Sequence, residues 1–189
     1  MRTGILGGTF NPVHLGHLIL AQEIKEKLRL DRVIFVPAYR APHKDMAWLI
    51  PARHRLNMLK LAVRGNPGFS VSDIELRRQG VSYTVDTIIA LKKKYPEDEV
   101  FFIAGSDLAP DLNSWKHFAG LLRIVNFVIA RRPGYPAGKG LSSGVMPVKI
   151  RAVDISAADI RRRIKNGLPV RYFLPEAVHK YIVANKLYA

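Results

Sequence analysis

Gly7-Gly8-Thr9-Phe10-Asn11-Pro12-Val13-His14-Leu15-Gly16-His17 is the stretch that decides how this chain is read. A short apolar run, Thr3 to Leu6, leads into it and reads as a strand. The paired glycines then let backbone N–H groups come close to a bound phosphate. A proline turn follows, and after it residues 16–28 carry Leu18, Ile19, Ile24 and Leu28 at helical spacing. The start of a helix supplies oriented N–H donors and partial positive charge. His14 and His17 are three residues apart, so both imidazoles can face one phosphate where the turn curls into that helix. Singly, these features are ordinary, since paired glycines often mark a plain turn and a histidine at a helix start often only neighbours a cap. In this order they point to a nucleotide-handling loop.

The rest of the chain sets bounds on that reading. A length of 189 residues with 48% hydrophobic content suits one domain, residues 1–189, with a sizeable core. Cysteine is absent, which excludes disulfides and thiolate metal sites. No apolar run approaches the roughly 20 residues of a membrane span, and the first residues enter a strand without a cationic leader. The expectation is a cytoplasmic protein with no membrane partner. Net charge is +15 and uneven: residues 1–115 hold 16 Lys/Arg and 12 Asp/Glu, whereas residues 116–189 hold 14 and 3. A basic half attracts polyanions, but its cations form no nucleic-acid motif with stacking aromatics, so nucleic acid is not an expected partner. A homo-oligomer stays open.

Strand and helix patterns alternate. Strands are expected at 3–6, 33–36, 69–72, 100–104, 125–130 and 148–153, and helices at 16–28, 52–64, 85–94, 157–166 and from about 175. The Gly/Pro/Ser-rich stretch 133–147 reads as a loop. Such alternation predicts an α/β fold: a Rossmann-like, doubly wound parallel sheet with a small C-terminal helical part. Ligands of such sheets bind beyond the carboxyl ends of the strands.

Several later motifs fall there. Gly105-Ser106-Asp107 ends a strand, where a carboxylate can hold ribose hydroxyls or simply cap the next helix. Ser82-Tyr83-Thr84 precedes a helix, so Thr84 is either an N-cap or part of a backbone site for a carboxylate or amide. Trp115 serves packing or ligand stacking. Ser156 with Asp159 approximates a capping box, with Arg161 in the same first turn, and capping and phosphate binding draw on the same donors. Lys44 and Arg132 are loop cations. His14 and His17 lack further ligands for a zinc site.

The segment GGTFNPVHLGHL at 7–18 resembles the GGTFDPxHxGH signature of the HIGH-type nucleotidyltransferase superfamily. Together with PHK at 42–44, RLNMLKLA at 55–62, DIELRRQGVSYTVDT at 73–87, FIAGSDLAPDLNSW at 102–115, ARRPG at 130–134, ISAADIR at 155–161 and the tail from YFLP to YIVANKLY at 172–188, it resembles the bacterial nicotinate-nucleotide adenylyltransferases over nearly the whole chain. The SYT and GSD…W segments fit this family better than its neighbours, phosphopantetheine adenylyltransferase and the cytidylyltransferases. A class I aminoacyl-tRNA synthetase would need a longer chain and a KMSKS-like loop.

The resemblance implies adenylyl transfer from ATP to nicotinate mononucleotide, with Mg²⁺ arriving on the ATP. It implies that Gly7, Gly8, Thr9, Phe10, His14 and His17 bind ATP, with Gly105 and Asp107 at the nucleotide cleft and Ile155, Ser156 and Arg161 at the adenine and phosphates. Lys44, Tyr83, Thr84, Asp107, Trp115 and Arg132 would hold the nicotinate nucleotide, and His14, His17 and Lys44 would be catalytic. Two positions depart from the family pattern. Asn11 stands where Asp is common and carries no charge, and Ala157 and Ala158 lack the hydroxyls usual in the late helix.

Overall fold

The computed structural model describes residues 1–42, 48–131, 142–151 and 153–189. Six strands form one parallel sheet: β1 (Arg2–Gly8), β2 (Arg32–Pro37), β3 (Phe69–Val71), β4 (Glu99–Gly105), β5 (Asn126–Arg131) and β6 (Val145–Lys149). Their order in space is β3-β2-β1-β4-β5-β6. The chain winds outward from β1 to β3, returns to the middle at β4, and winds outward again on the other side. The expected doubly wound α/β sheet is therefore present. Its reversal lies between β1 and β4, where Leu6 pairs with Ile103.

Side-chain alternation along the strands builds both layers of the core. Leu6, Phe35, Ile103 and Val128 face one side and pack with helices α1 (Leu15–Lys27), α2 (Ala52–Val63), α6 (Ala157–Lys165) and α7 (Glu176–Ala184). Their sequence neighbours Ile5, Ile34, Phe102 and Ile129 face the other side. There they meet Ile88 and Leu91 of α4 (Thr84–Lys94), Leu112 of a 3-10 helix (Ser106–Ser114), and α5 (Phe118–Leu122).

Five elements depart from the sequence reading, one of them a 3-10 turn at Arg171–Phe173 just before α7. The helix α3 (Ile74–Arg78) and α5, five residues each, are too short to carry a readable periodicity, and the 3-10 helix 106–114 repeats every three residues and not every 3.6. The sixth strand is expected at 148–153 but lies at 145–149, so it begins within the stretch read as loop and overlaps the expected strand at 148–149. It is an edge strand, and an edge tolerates Pro147, which has no N–H to give a neighbour, and leaves Met146 exposed. Much of the remaining loop, like Lys44 and Arg132, lies outside the described residues.

Candidate nucleotide-binding site

The carboxyl ends of β1 and β4 border the reversal point, and the glycines of both motifs fall there. After Gly8 the chain turns through Phe10, whose φ of 50° lies in the left-handed region. The Phe10 ring is buried and meets the His17 ring edge-on, 5.0 Å between centroids. A Cβ on Gly8 would press on that ring at 3.0 Å, so the close passage of strand and aromatic requires glycine. His14 is the N-cap residue of α1 and is buried. Its N–H donates to Nδ1 of His17 at 3.2 Å, its carbonyl accepts from the His17 N–H at 3.0 Å, and the rings stand 3.8 Å apart. The His-x-x-His spacing thus brings both imidazoles together at the positive end of α1. The sequence reading placed them so.

The turn is held from behind by a residue that the sequence reading passed over. Arg55 of α2 is 1% exposed. It donates to the carbonyls of Thr9 at 2.9 Å, Ala38 at 2.6 Å, Tyr39 at 3.3 Å and Ile50 at 3.3 Å. Burial pulls its pKa below the ordinary guanidinium value, and Tyr188 and Glu75 partly oppose this. Because Thr9 C=O points at Arg55, the Phe10 N–H in the same peptide plane points the opposite way. The fork therefore withdraws a carbonyl that would repel phosphate. The only sequence signal was an arginine inside an otherwise apolar helix face.

At the end of β4, Asp107 folds its carboxylate back over Gly105, and any Cβ there would collide with it. Asp107 is exposed. Across the other face of the sheet, Tyr83 is the N-cap residue of α4 and Thr84 its first residue. Ser82 fastens this segment to the loop after β2. Its Oγ accepts from the Tyr39 N–H at 2.9 Å, and its own N–H donates to the Arg40 carbonyl at 2.9 Å. Beneath it, Thr87 donates to buried Glu75 at 2.6 Å. Burial raises the Glu75 pKa, against hydrogen bonds from Thr87 and Ser82 and the charges of Arg78 and Arg55.

Trp115 is half-buried, with edge-on contacts to Phe102 and Phe127 at 6.1 and 5.9 Å. Packing therefore fixes the indole while part of it stays accessible. Lys116 ties Trp115 to the α4 start. Its ammonium lies 4.6 Å from the Tyr83 ring centroid and 3.2 Å from Asp86. Lys116 is a second residue that the sequence reading missed.

In the late helix, Ser156 accepts from the Asp159 N–H at 3.1 Å, which makes it the N-cap of α6. Arg161 reaches back across the sheet end and donates to the Asn11 carbonyl at 2.7 Å. The Ile155 carbonyl lies 3.7 Å from where a Cβ on Gly16 would stand, so α6 and α1 begin side by side. Among the described residues no group of three or more His, Asp or Glu stands together as a metal cluster. No described helix is long and apolar enough to cross a membrane. The structure gathers His14, His17, Ile155, Ser156 and Arg161 around one turn, and Tyr83, Thr84 and Trp115 at a second cluster linked through Lys116.

Residues 5–163 match the cytidylyltransferase-like family. The chain is 46% identical over 188 residues to a protein of Thermus thermophilus named a probable nicotinate-nucleotide adenylyltransferase, covering 100% of both. It is 44% identical over 213 residues to one of the same name from Geobacter sulfurreducens, covering 100% of this chain and 99% of that protein. Its fold is similar to that of Plasmodium falciparum nicotinic acid mononucleotide adenylyltransferase complexed with NaAD, with a TM-score of 0.82 at 19% identity over 99% of this chain and 97% of that one. For the same enzyme complexed with APC the TM-score is 0.79 at 18% identity, over 99% and 96%.

Proposed function

The chain belongs to the cytidylyltransferase-like family and, within it, to the nicotinate-nucleotide adenylyltransferases, and from that premise we propose that it transfers the adenylyl group of ATP to nicotinate mononucleotide. The products are deamido-NAD and pyrophosphate, and the whole of residues 1–189 acts as one cytoplasmic nucleotidyltransferase domain. The observation that carries this reading is the imidazole pair of His14 and His17 at the start of α1, 3.8 Å between ring centroids, beside the strand reversal.

In the reaction a phosphate oxygen of nicotinate mononucleotide attacks the α-phosphorus of ATP. The bond from that phosphorus to the bridging oxygen breaks, and its electron pair leaves with pyrophosphate. The attacking phosphate is already ionised, so the protein's task is alignment and charge stabilisation rather than strong-base catalysis. His14 and His17 donate to the triphosphate where negative charge builds, with Gly7, Gly8, Thr9 and Phe10 lining it through the backbone, and Lys44 adds charge. Gly105 and Asp107 face the ribose. Ile155 and Ser156 flank the adenine, and Arg161 has donors left beyond its bond to Asn11. Thr84 through its N–H, with Tyr83, Trp115 and Arg132, holds the nicotinate nucleotide. Among the described residues Asp107 belongs to no group of three or more metal-ligating side chains, which fits Mg²⁺ keeping its waters and its ATP phosphate ligands. That ion, when bound, neutralises phosphate charge.

The test is pyrophosphate release from ATP and Mg²⁺ with nicotinate mononucleotide, nicotinamide mononucleotide, phosphopantetheine and glycerol 3-phosphate in parallel. Preference for nicotinate mononucleotide supports the reading, and turnover only with another acceptor removes the roles of Thr84 and Trp115. Removing one aimed donor from such a site costs about 2.7–4 kcal/mol. His17→Ala should therefore lower turnover roughly 100-fold or more, with the circular dichroism spectrum unchanged. A near-normal rate in that variant would refute the assignment.

A further inference from the structure

Asn11, at the turn of the nucleotide motif, is 5% exposed and joins four parts of the chain. Its side-chain N–H donates to the Trp48 carbonyl at 2.7 Å. Its side-chain oxygen accepts from the Tyr188 hydroxyl at 2.9 Å and the Ile50 N–H at 3.4 Å. Its backbone carbonyl accepts from Arg161 at 2.7 Å. The amide is needed in this arrangement, because a carboxylate could not donate to Trp48. The departure from Asp at this position is thereby explained.

The Tyr188 bond spans 177 residues of sequence. Tyr188 is the penultimate residue, and nothing in the nucleotide motif foretells it. Past the end of α7 the chain is fixed by bonds from Lys186 N–H to Val183 at 3.2 Å and from Leu187 N–H to Ile182 at 3.1 Å, and Leu187 is buried. At Tyr188 φ is 67°, in the left-handed region, and the ring packs against the core. Burial raises the phenol pKa, with Arg161 and Arg55 partly opposing, so the hydroxyl stays a donor at neutral pH.

We propose that Tyr188 is a positioning residue for the triphosphate-binding turn: through Asn11 it holds Thr9–Asn11 in shape, making the segment after α7 a strut of the ATP site. This rests on reading that turn as the ATP site. Tyr188 touches no reacting atom in this scheme. Its effect falls on ATP, because Asn11 belongs to the turn, and leaves the Thr84/Trp115 cluster on the other face untouched.

The test is steady-state kinetics of Tyr188→Phe, which keeps the ring and removes only the hydroxyl. KM for ATP should rise about 2- to 10-fold, as expected for one neutral hydrogen bond. KM for nicotinate mononucleotide and the far-ultraviolet spectrum should stay at wild-type values. A cycle with Asn11→Ala separates a strut from general packing: if Tyr188 acts through Asn11, adding Tyr188→Phe to Asn11→Ala produces no further rise. Unchanged KM for ATP in Tyr188→Phe overturns the inference, as do equal rises for both substrates or additive effects in the cycle. His17→Ala is assayed alongside. If it loses turnover while Tyr188→Phe behaves as wild type, the strut falls and the function stands, whereas His17→Ala at the wild-type rate overturns both.

Discussion

Arg55 shows how one residue can organise a site it does not form. Four carbonyls from the two loops after β1 and β2 converge on its guanidinium, and no aliphatic side chain could satisfy them. Arg55→Met keeps most of the volume but leaves those carbonyls short of donors, and a buried polar group without a partner costs about 1–3 kcal/mol. Some of the four will find other donors, so a loss of about 3 kcal/mol is expected, read as a lower urea midpoint with an unchanged slope. Arg55→Lys should rescue only part of it, since an ammonium cannot reproduce the fork. At residue scale the sequence was legible where spacing sets the placement, as for His14 and His17, which the three-residue interval brings together at the start of α1. It was silent where an arginine among apolar residues looked like an ordinary helix face.

At the next scale, helix starts frame the proposed site. The N-termini of α1, α4 and α6 all lie at the carboxyl edge of the sheet, because each helix follows a strand or loop on that side. Ser156 caps α6, and that helix in turn delivers Arg161 to Asn11. Ser156→Ala removes a cap worth about 1 kcal/mol. In a chain of this size, the midpoint of thermal unfolding should fall by roughly 2–4 °C, checked by calorimetry. The absence of hydroxyls at Ala157 and Ala158 leaves this cap intact, since it needs only Ser156 and the Asp159 N–H. The elements the sequence hid were the short ones, and β6 was displaced by three residues. A five-residue helix shows barely more than one turn of pattern, and an edge strand with a proline carries the composition of a loop.

Across the whole molecule, the sheet edge opposite the site is pinned by Asp98, which precedes β4. It accepts from Thr3 of β1 at 2.6 Å, Arg32 of β2 at 2.8 Å and the N-terminal ammonium at 3.2 Å. Burial alone would raise its pKa, but these three partners outweigh it and hold the carboxyl below its ordinary value. A depressed carboxylate pKa contributes stability above the unfolded-state value of about 3.9, and that contribution is lost as pH falls through the lower folded-state value. Thermal unfolding of wild type and Asp98→Asn should therefore differ at pH 7, and the difference should shrink as pH falls below the ordinary carboxylate value of about 3.9. A difference that persisted in acid would show that charge is not what Asp98 supplies. The sequence by itself determined the parallel α/β sheet, the glycine-rich turn between β1 and α1, and the family. Apolar alternation, glycine-rich turns and helix starts are local patterns, and the matching segments run in order along the chain. Tertiary structure alone decided that Arg55 reaches into the turn from α2, that Arg161 crosses to Asn11 from α6, and that Tyr188 closes on the same asparagine from the far end of the chain. Those contacts join residues separated by up to 177 positions, and only packing of the folded chain brings such partners within hydrogen-bonding distance.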